Sequence, residues 1–151
     1  MTHEDLRTAA VRWLTNTRRC SVVLSELVSA AGEIPDAIGW KYGMSCVVEC
    51  KASRSDFYAN ANKPHSRSGS GLGRHRFFLC QPSIIVADDL LEMDYGLLWI
   101  KDSGQIRVVR EALDRDTNAT KEICMLTSAL RRVRTREFLT INILADAEVT
   151  A

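Results

Sequence analysis

Short β-branched runs between two amphipathic helical segments constrain the fold of this chain more than any other feature. Near the amino end, apolar residues recur at helical spacing and predict a helix over residues 2–19. These apolar residues are Leu6, Ala9, Ala10, Trp13 and Leu14. Thr2, followed three residues later by Asp5, predicts a capping pair at the start of this helix.

Strands are predicted where short runs rich in Val, Ile, Phe and Leu are bounded by turn-forming residues. These runs cover residues 21–25, 34–40, 44–51, 77–80, 97–100 and 106–109. Helices are predicted over about 53–62, just after residue 87 and over 120–133, the last with an apolar stripe of Ile123, Leu126, Leu130 and Val133. The order predicts a single α/β domain over residues 1–151 with a mixed central sheet flanked by helices, extended by a carboxyl-terminal helix from about residue 117.

The composition is that of one ordinary globular domain. The chain has 151 residues, of which 46% are hydrophobic and 26% are charged, enough to build a sizeable core. Its five cysteines match neither a disulfide framework nor a paired zinc motif, so we expect reduced thiols and a cytoplasmic protein. We find neither a signal peptide nor an apolar run of the roughly 20 residues that a membrane span needs, and we expect no membrane association.

The segment from Glu26 to Lys51 carries the residues best suited to catalysis. On the strand predicted over 44–51, alternate residues share a face, so Glu49 and Lys51 project to the same side. Asp36 belongs to the preceding predicted strand, which a tight turn would place beside that of Glu49. Two carboxylates that meet across adjacent strands form an oxygen-rich site suited to Mg²⁺ or Mn²⁺. With a lysine beside the metal, the set is one that phosphodiester hydrolysis needs.

The pair Pro35-Asp36 followed by the triplet Glu49-Cys50-Lys51 resembles the signature of the PD-(D/E)XK nuclease superfamily, whose members have the restriction-endonuclease-like fold. The predicted elements are similar to that family's αβββαβ core, and the stretch after the triplet resembles small stand-alone bacterial and phage members. The resemblance covers about residues 4–110. It implies a Mg²⁺- or Mn²⁺-dependent deoxyribonuclease, acting in DNA repair, recombination or phage DNA processing.

By this resemblance, Asp36 and Glu49 bind the metal ion. The main-chain carbonyl of Cys50 is a candidate further ligand, and Lys51 positions or activates the attacking water. These roles make Asp36, Glu49 and Lys51 the predicted catalytic residues.

Many members of this family add a glutamate from upstream of the aspartate, and two candidates are open here. Glu26 closes the first predicted strand and has room to turn into the site. Glu33 lies nearer Asp36, but in a turn-like approach where a solvated carboxylate is the ordinary outcome. We therefore favour Glu26 as the third metal-binding and catalytic carboxylate.

Basic residues follow the triplet in a segment rich in glycine and serine. Residues 51–76 carry six lysines and arginines against one aspartate, a local charge of +5, although the whole chain carries only +1. A basic glycine-rich loop beside a metal site suits the phosphate backbone of DNA, and Phe57 or Tyr58 could stack on a base. The residues predicted to contact nucleic acid are Lys63, His65, Arg67, Arg74 and Arg76.

Two other functions stay open at this level. One is a catalytically inactive nucleic-acid-binding module on the same fold, and the other is an interaction domain whose acids form ordinary surface ion pairs. The glycine-rich stretch 69–73 lacks the Lys-Ser/Thr of a phosphate-binding loop, so we expect no nucleotide cofactor. Whether the protein forms a homodimer is also open.

Overall fold

The computed structural model describes residues 1–61 and 69–133, which contain three α-helices and six strands. The helices are α1 (His3–Asn16), α2 (Arg54–Ala61) and α3 (Ala119–Arg132), and a short 3₁₀ helix spans Ala87–Leu90. The strands are β1 (Val22–Leu24), β2 (Ala37–Lys41), β3 (Met44–Cys50), β4 (His75–Cys80), β5 (Gly96–Ile100) and β6 (Ile106–Arg110). Among these described helices, none has both the length and the hydropathy that crossing a membrane requires.

The strands form one mixed sheet whose spatial order follows the chain from β1 to β6. The pairs β1–β2, β2–β3 and β5–β6 are antiparallel, whereas β3–β4 and β4–β5 are parallel. Parallel neighbours need a crossover connection, and α2 and the 3₁₀ helix lie in the two connections used here. The predicted α/β class with a mixed sheet is confirmed.

Helix α1 begins where the sequence predicts. Thr2 Oγ1 accepts a hydrogen bond from the Asp5 N–H at 3.1 Å, and Asp5 Oδ2 accepts one from the Thr2 N–H at 2.8 Å. This reciprocal capping box satisfies two N–H groups that the first turn would leave without helical partners. The helix ends at Asn16, before the predicted residue 19, since Arg19 adopts a left-handed φ of 59° as the chain turns into β1.

Strand β3 is covered on both faces. Cys46, Val48 and Cys50 pack into the core beneath α1, whereas Val47 packs on the opposite side against Leu72 and Met125. The predicted alternation along this strand is therefore confirmed. Glu49 and Lys51 share the face of Val47. Both are buried, so this end of the strand carries two charged side chains that are shielded from solvent.

The predicted hairpin between β2 and β3 is also confirmed. Lys41 pairs with Met44, and the two residues between them, Tyr42 and Gly43, have φ values of 50° and 75°. Positive φ at both central residues is the geometry of the two-residue turn whose twist matches antiparallel strands. Strand β2 starts three residues later than predicted, after Pro35, which has no N–H to donate to a neighbouring strand.

The apolar stripe predicted for α3 is wrong at three of its four residues, whereas the fourth, Leu126, packs against the core cluster that contains Met125. Ile123, Leu130 and Val133 are 64%, 60% and 70% exposed, whereas Glu122 and Met125 are buried. The helix is thus rotated by about one residue from the orientation that its apolar periodicity predicts.

The reason for this rotation is a buried carboxylate. Glu122 accepts hydrogen bonds from Trp40 Nε1 at 3.1 Å, Ser45 Oγ at 2.6 Å, the Gly73 N–H at 3.0 Å and Thr117 Oγ1 at 2.6 Å. Four donors offset the loss of water around the charge, and they fix α3 against the β2–β3 hairpin.

Candidate metal centre

The β2–β3 hairpin brings Asp36 beside Glu49. Ala37 pairs with Val48 in antiparallel register, so Asp36, one residue earlier, lies opposite Glu49. The main-chain N–H of Cys50 donates to Asp36 Oδ2 at 2.7 Å and holds the carboxylate against the end of β3. The two residues that the sequence predicts to share a site are therefore neighbours in the structure.

A histidine and a second carboxylate join Asp36 at this end of the hairpin. His3, Glu26 and Asp36 each have one potential metal-ligand atom within 4.8 Å of those of the other two. We call these three residues the His-Glu-Asp cluster. His3 Nε2 is 3.1 Å from Asp36 Oδ1. His3 and Glu26 are exposed and Asp36 is half-buried, so the cluster can be reached from solvent.

The backbone around Glu26 explains its place in the cluster. Glu26 has a left-handed φ of 47°, and its N–H donates to the carbonyl of Pro35 at 3.2 Å, which fastens it beside Asp36. Arg7, on α1, forms ion pairs with both Glu26 and Glu4. The upstream glutamate that we favour from the sequence is thus adjacent to Asp36, with an arginine as its present partner.

Glu49 is buried at the end of β3, opposite Asp36. Burial raises the pKa of Glu49 above its ordinary value, and the nearby charge of Asp36 adds to the rise, whereas Arg76 and Lys51 oppose it. Arg76 Nη2 donates to Glu49 Oε1 at 3.1 Å. Because its ionised form is costly in this position, positive charge placed beside it is favoured.

Glu33 is not the solvated carboxylate that the sequence predicts. Its residue surface is 3% exposed, its Oε1 lies 2.7 Å from Arg76 Nη1, and its Oε2 accepts from the Leu72 N–H at 2.9 Å. Arg76 therefore bridges Glu33 and Glu49. The prediction failed because the burial of Glu33 depends on an arginine supplied by a strand much later in the chain.

Lys51 lies just beyond β3, on the face of Glu49. Its N–H donates to the carbonyl of Leu79 at 2.9 Å, which continues the parallel pairing of β3 with β4. The side chain is buried, with Nζ 4.0 Å from Asp56 Oδ1 at the start of α2. A buried ammonium beside the carboxylate of Glu49 is the arrangement that the Glu-x-Lys pattern predicts.

The residues predicted to contact nucleic acid differ in how exposed the structure leaves them. Arg76 is fully buried and forms ion pairs with Glu33 and Glu49, so the prediction that it contacts nucleic acid is wrong. Arg74 has a half-exposed side chain, with its Nε donating to Asp114 Oδ1 at 2.9 Å. The other three predictions, Lys63, His65 and Arg67, lie outside the described residues.

The two aromatic residues considered for base stacking also differ. Phe57 is buried edge-on against Phe78, with ring centroids 5.3 Å apart, so its faces are not free for a base. Tyr58 is 55% exposed and its hydroxyl accepts a hydrogen bond from Arg54 Nε at 3.1 Å. Of this pair, Tyr58 is the residue that a nucleic acid can reach.

The donors at this end of the hairpin suit a divalent cation. Carboxylate oxygens from Asp36 and Glu26 converge in the His-Glu-Asp cluster, and oxygen ligands are those that Mg²⁺ and Mn²⁺ accept. The Cys50 thiol faces the core beneath α1, where burial raises its pKa, which leaves the main-chain carbonyl as the group that this residue can offer. The residue types and their spacing therefore fit a metal site.

His3 is the site residue that sequence reasoning missed. The capping pair at Thr2 and Asp5 could place His3 in the first turn of α1, but nothing in the local pattern indicates that it meets Asp36. That contact joins residues 33 positions apart and arises from the packing of α1 on the sheet.

Comparison with known proteins gives a likeness of fold without an assigned function. No protein-family model matches the chain, and no curated protein matches it. Among solved structures, the chain is similar to the SPO1766 protein of unknown function from Silicibacter pomeroyi, with a TM-score of 0.61 and 25% sequence identity. The similarity covers 88% of this chain and 89% of that chain.

Proposed function

We propose that this chain is a metal-dependent nuclease of the PD-(D/E)XK type that hydrolyses phosphodiester bonds in DNA. One observation carries the proposal: Asp36 lies opposite Glu49 in the β2–β3 register, with Lys51 two residues beyond Glu49 on the same face. Two carboxylates and an ammonium are the side chains that metal-assisted phosphodiester hydrolysis uses.

In this proposal Asp36, Glu49 and Glu26 hold Mg²⁺ or Mn²⁺, with the main-chain carbonyl of Cys50 as a further ligand. Such an ion, when bound, polarises a phosphoryl oxygen and lowers the pKa of a bound water. Lys51 orients the attacking water and stabilises the negative charge that develops on the phosphate. Because the lysine is only 5% exposed, its charge is weakly screened by solvent and acts strongly at short range.

Contacts to DNA are proposed for Lys63, His65, Arg67 and Arg74. The side chain of Arg74 is 41% exposed, and a phosphate would compete with Asp114 for its guanidinium. Residues 26–49 carry four acids against one lysine, so bound metal should lessen repulsion where the phosphate approaches. We therefore expect DNA to bind more tightly with Mg²⁺ present than with a chelator, at equal ionic strength.

Cleavage of single-stranded, duplex and branched DNA with Mg²⁺ or Mn²⁺ tests the proposal. Asp36→Asn and Lys51→Met should each reduce the cleavage rate by about 100-fold or more, because each removes a charge from the reacting centre. Glu111→Gln is the matched control: it neutralises an exposed carboxylate that pairs with Arg18. Cleavage that survives both site substitutions, in variants whose circular dichroism melts match the parent, refutes the proposed site.

A second function, nucleic-acid binding without cleavage, is favoured by the pairing of Glu49 with Arg76. The guanidinium of Arg76 already pairs with one of the three carboxylates proposed to hold the metal ion. Salt-sensitive DNA binding with no cleavage in Mg²⁺, Mn²⁺ or Co²⁺ would support this alternative. Mg²⁺-dependent cleavage that Lys51→Met abolishes would exclude it.

A further inference from the structure

Helix α1 holds the main chain of His3 next to the His-Glu-Asp cluster. The capping box at Thr2 and Asp5 fixes the first turn of α1, and Leu6, 1% exposed, anchors the next turn in the core beneath the helix. A ligand carried on a helix whose cap and core contacts are both in place has little freedom to leave its position. The position of α1 in the fold therefore places His3 at the cluster.

The hydrogen bonds of Asp36 direct one of its oxygens at this imidazole. Oδ2 accepts from the Cys50 N–H at 2.7 Å, which leaves Oδ1 as the oxygen that faces His3 Nε2, 3.1 Å away. Glu26 contributes a third donor atom within 4.8 Å of both. The three residues come from three separate segments: the start of α1, the loop after β1 and the residue before β2.

The positive side chain of Arg7 opposes a cation at this place. Arg7 forms an ion pair with Glu26, and a metal ion entering the cluster must displace it from that carboxylate. Arg7 also pairs with Glu4, three residues earlier on the same helix, so a partner remains for the displaced guanidinium.

Imidazole nitrogen changes the metal preference of a carboxylate site. Mg²⁺ is held almost entirely by oxygen and dehydrates reluctantly, whereas divalent transition-metal ions accept imidazole together with carboxylate. We infer that His3 is a direct ligand of the cation, and that the site therefore selects a divalent transition-metal ion over Mg²⁺. This inference rests on the cation site of the proposed function, although it does not require that the protein cleave DNA.

Mn²⁺ binding to the full chain, purified without a polyhistidine tag, tests the inference. Electron paramagnetic resonance of free Mn²⁺ gives the Kd, Mg²⁺ competition gives the preference, and electron spin echo modulation from ¹⁴N reports a nitrogen bound directly to the ion. His3→Gln removes the imidazole, and His75→Gln is the matched control because it removes a partly exposed histidine paired with Asp114 instead. Circular dichroism confirms that α1 is retained in both variants.

The expected result has two parts. The parent protein and His75→Gln show ¹⁴N modulation, and His3→Gln loses it. His3→Gln also weakens Mn²⁺ binding by at least about tenfold, with a smaller effect on Mg²⁺.

Three results would overturn the inference. Bound Mn²⁺ without ¹⁴N modulation rejects His3 as a ligand but leaves an all-oxygen site, and Mg²⁺-dependent DNA cleavage would then still support the nuclease. An equal loss of Mn²⁺ and Mg²⁺ affinity in His3→Gln shows that His3 acts only by holding Asp36. Absence of Mn²⁺ binding to the parent protein rejects the inference and the cation site together.

Discussion

Replacing Arg76 with methionine is the perturbation whose effect follows most directly from the structure. The guanidinium is fully buried, and it contacts Glu33 Oε1 at 2.7 Å, the Leu72 carbonyl at 2.7 Å and Glu49 Oε1 at 3.1 Å. Methionine keeps much of the length and removes the charge, so two buried carboxylates lose their shared cation. Breaking a buried ion pair from one side costs about 3–5 kcal/mol, which is a large part of the 5–15 kcal/mol that typically stabilises a domain.

The loss in Arg76→Met should depend on pH, with a sign set by Glu49. Burial raises the pKa of Glu49 above its ordinary value of 4.5, so the folded state holds the proton to higher pH than the unfolded state does. The stability linked to this group is fully present below pH 4.5 and is lost as pH rises through the folded pKa. Arg76 lowers the folded-state pKa of Glu49, so removing Arg76 raises that pKa and the linked stability continues to fall to higher pH. The destabilisation of Arg76→Met relative to the parent should therefore be larger at pH 8 than at pH 5.

Urea denaturation followed by circular dichroism measures this effect. With a typical slope of about 2 kcal/mol per M, a loss of about 4 kcal/mol moves the midpoint by roughly 2 M. Adding Glu49→Gln to Arg76→Met should recover part of the stability at pH 8 and little at pH 5. Arg74→Met, which removes an exposed arginine next to the same strand, is the control. A loss in Arg76→Met that is no larger than the control's, or independent of pH, would refute the reasoning.

Three further outcomes are expected from other parts of the fold. Gly73→Ala should destabilise the protein by about 1–3 kcal/mol in urea titrations, since Gly73 has φ +84° and a Cβ there would lie 2.7 Å from Val47 Cγ2. Gly104→Ala, at φ +82° in open space, separates backbone strain from this contact, and equal losses would contradict the proposed crowding. Glu122→Gln should lower stability by about 1–3 kcal/mol in thermal melts, because an amide cannot accept from all four donors, and an unchanged melting temperature would count against the buried network. Mn²⁺ at a hundredfold excess over its Kd should stabilise the parent by about 2.7 kcal/mol and Asp36→Asn much less; the same shift in both places the ion elsewhere.

Local information in the sequence predicts the part of the fold that carries the candidate site. The alternation along β3 separates Val47, Glu49 and Lys51 from the residues beneath α1, and a glycine after Tyr42 marks the hairpin turn. Those two features suffice to bring Asp36 and Glu49 together, because antiparallel pairing across a two-residue turn leaves little freedom of register. The finer prediction, a restriction-endonuclease-like core, stays a prediction.

Features that depend on distant partners could not be predicted in the same way. Arg76 belongs to a basic stretch, and only the assembled sheet shows that it lies between Glu33 and Glu49. Glu122 lies next to the predicted apolar stripe, and a glutamate in a helix is ordinarily exposed. Its burial depends on hydrogen-bond donors from distant parts of the chain. In both residues, hydrogen bonds to a buried charge outweigh the tendency that composition and periodicity predict.

The agreement between strand order and chain order has a consequence for how the protein is made. Each strand pairs with the one synthesised just before it, so the sheet can grow from β1 outwards while the remainder is still on the ribosome. The β2–β3 hairpin, with Asp36 and Glu49, emerges before β4, and Arg76 follows 27 residues after Glu49. Until β4 joins the sheet, Glu49 lacks this counter-charge. The backbone of the candidate site can therefore form before the ion pair that compensates the buried charge of Glu49.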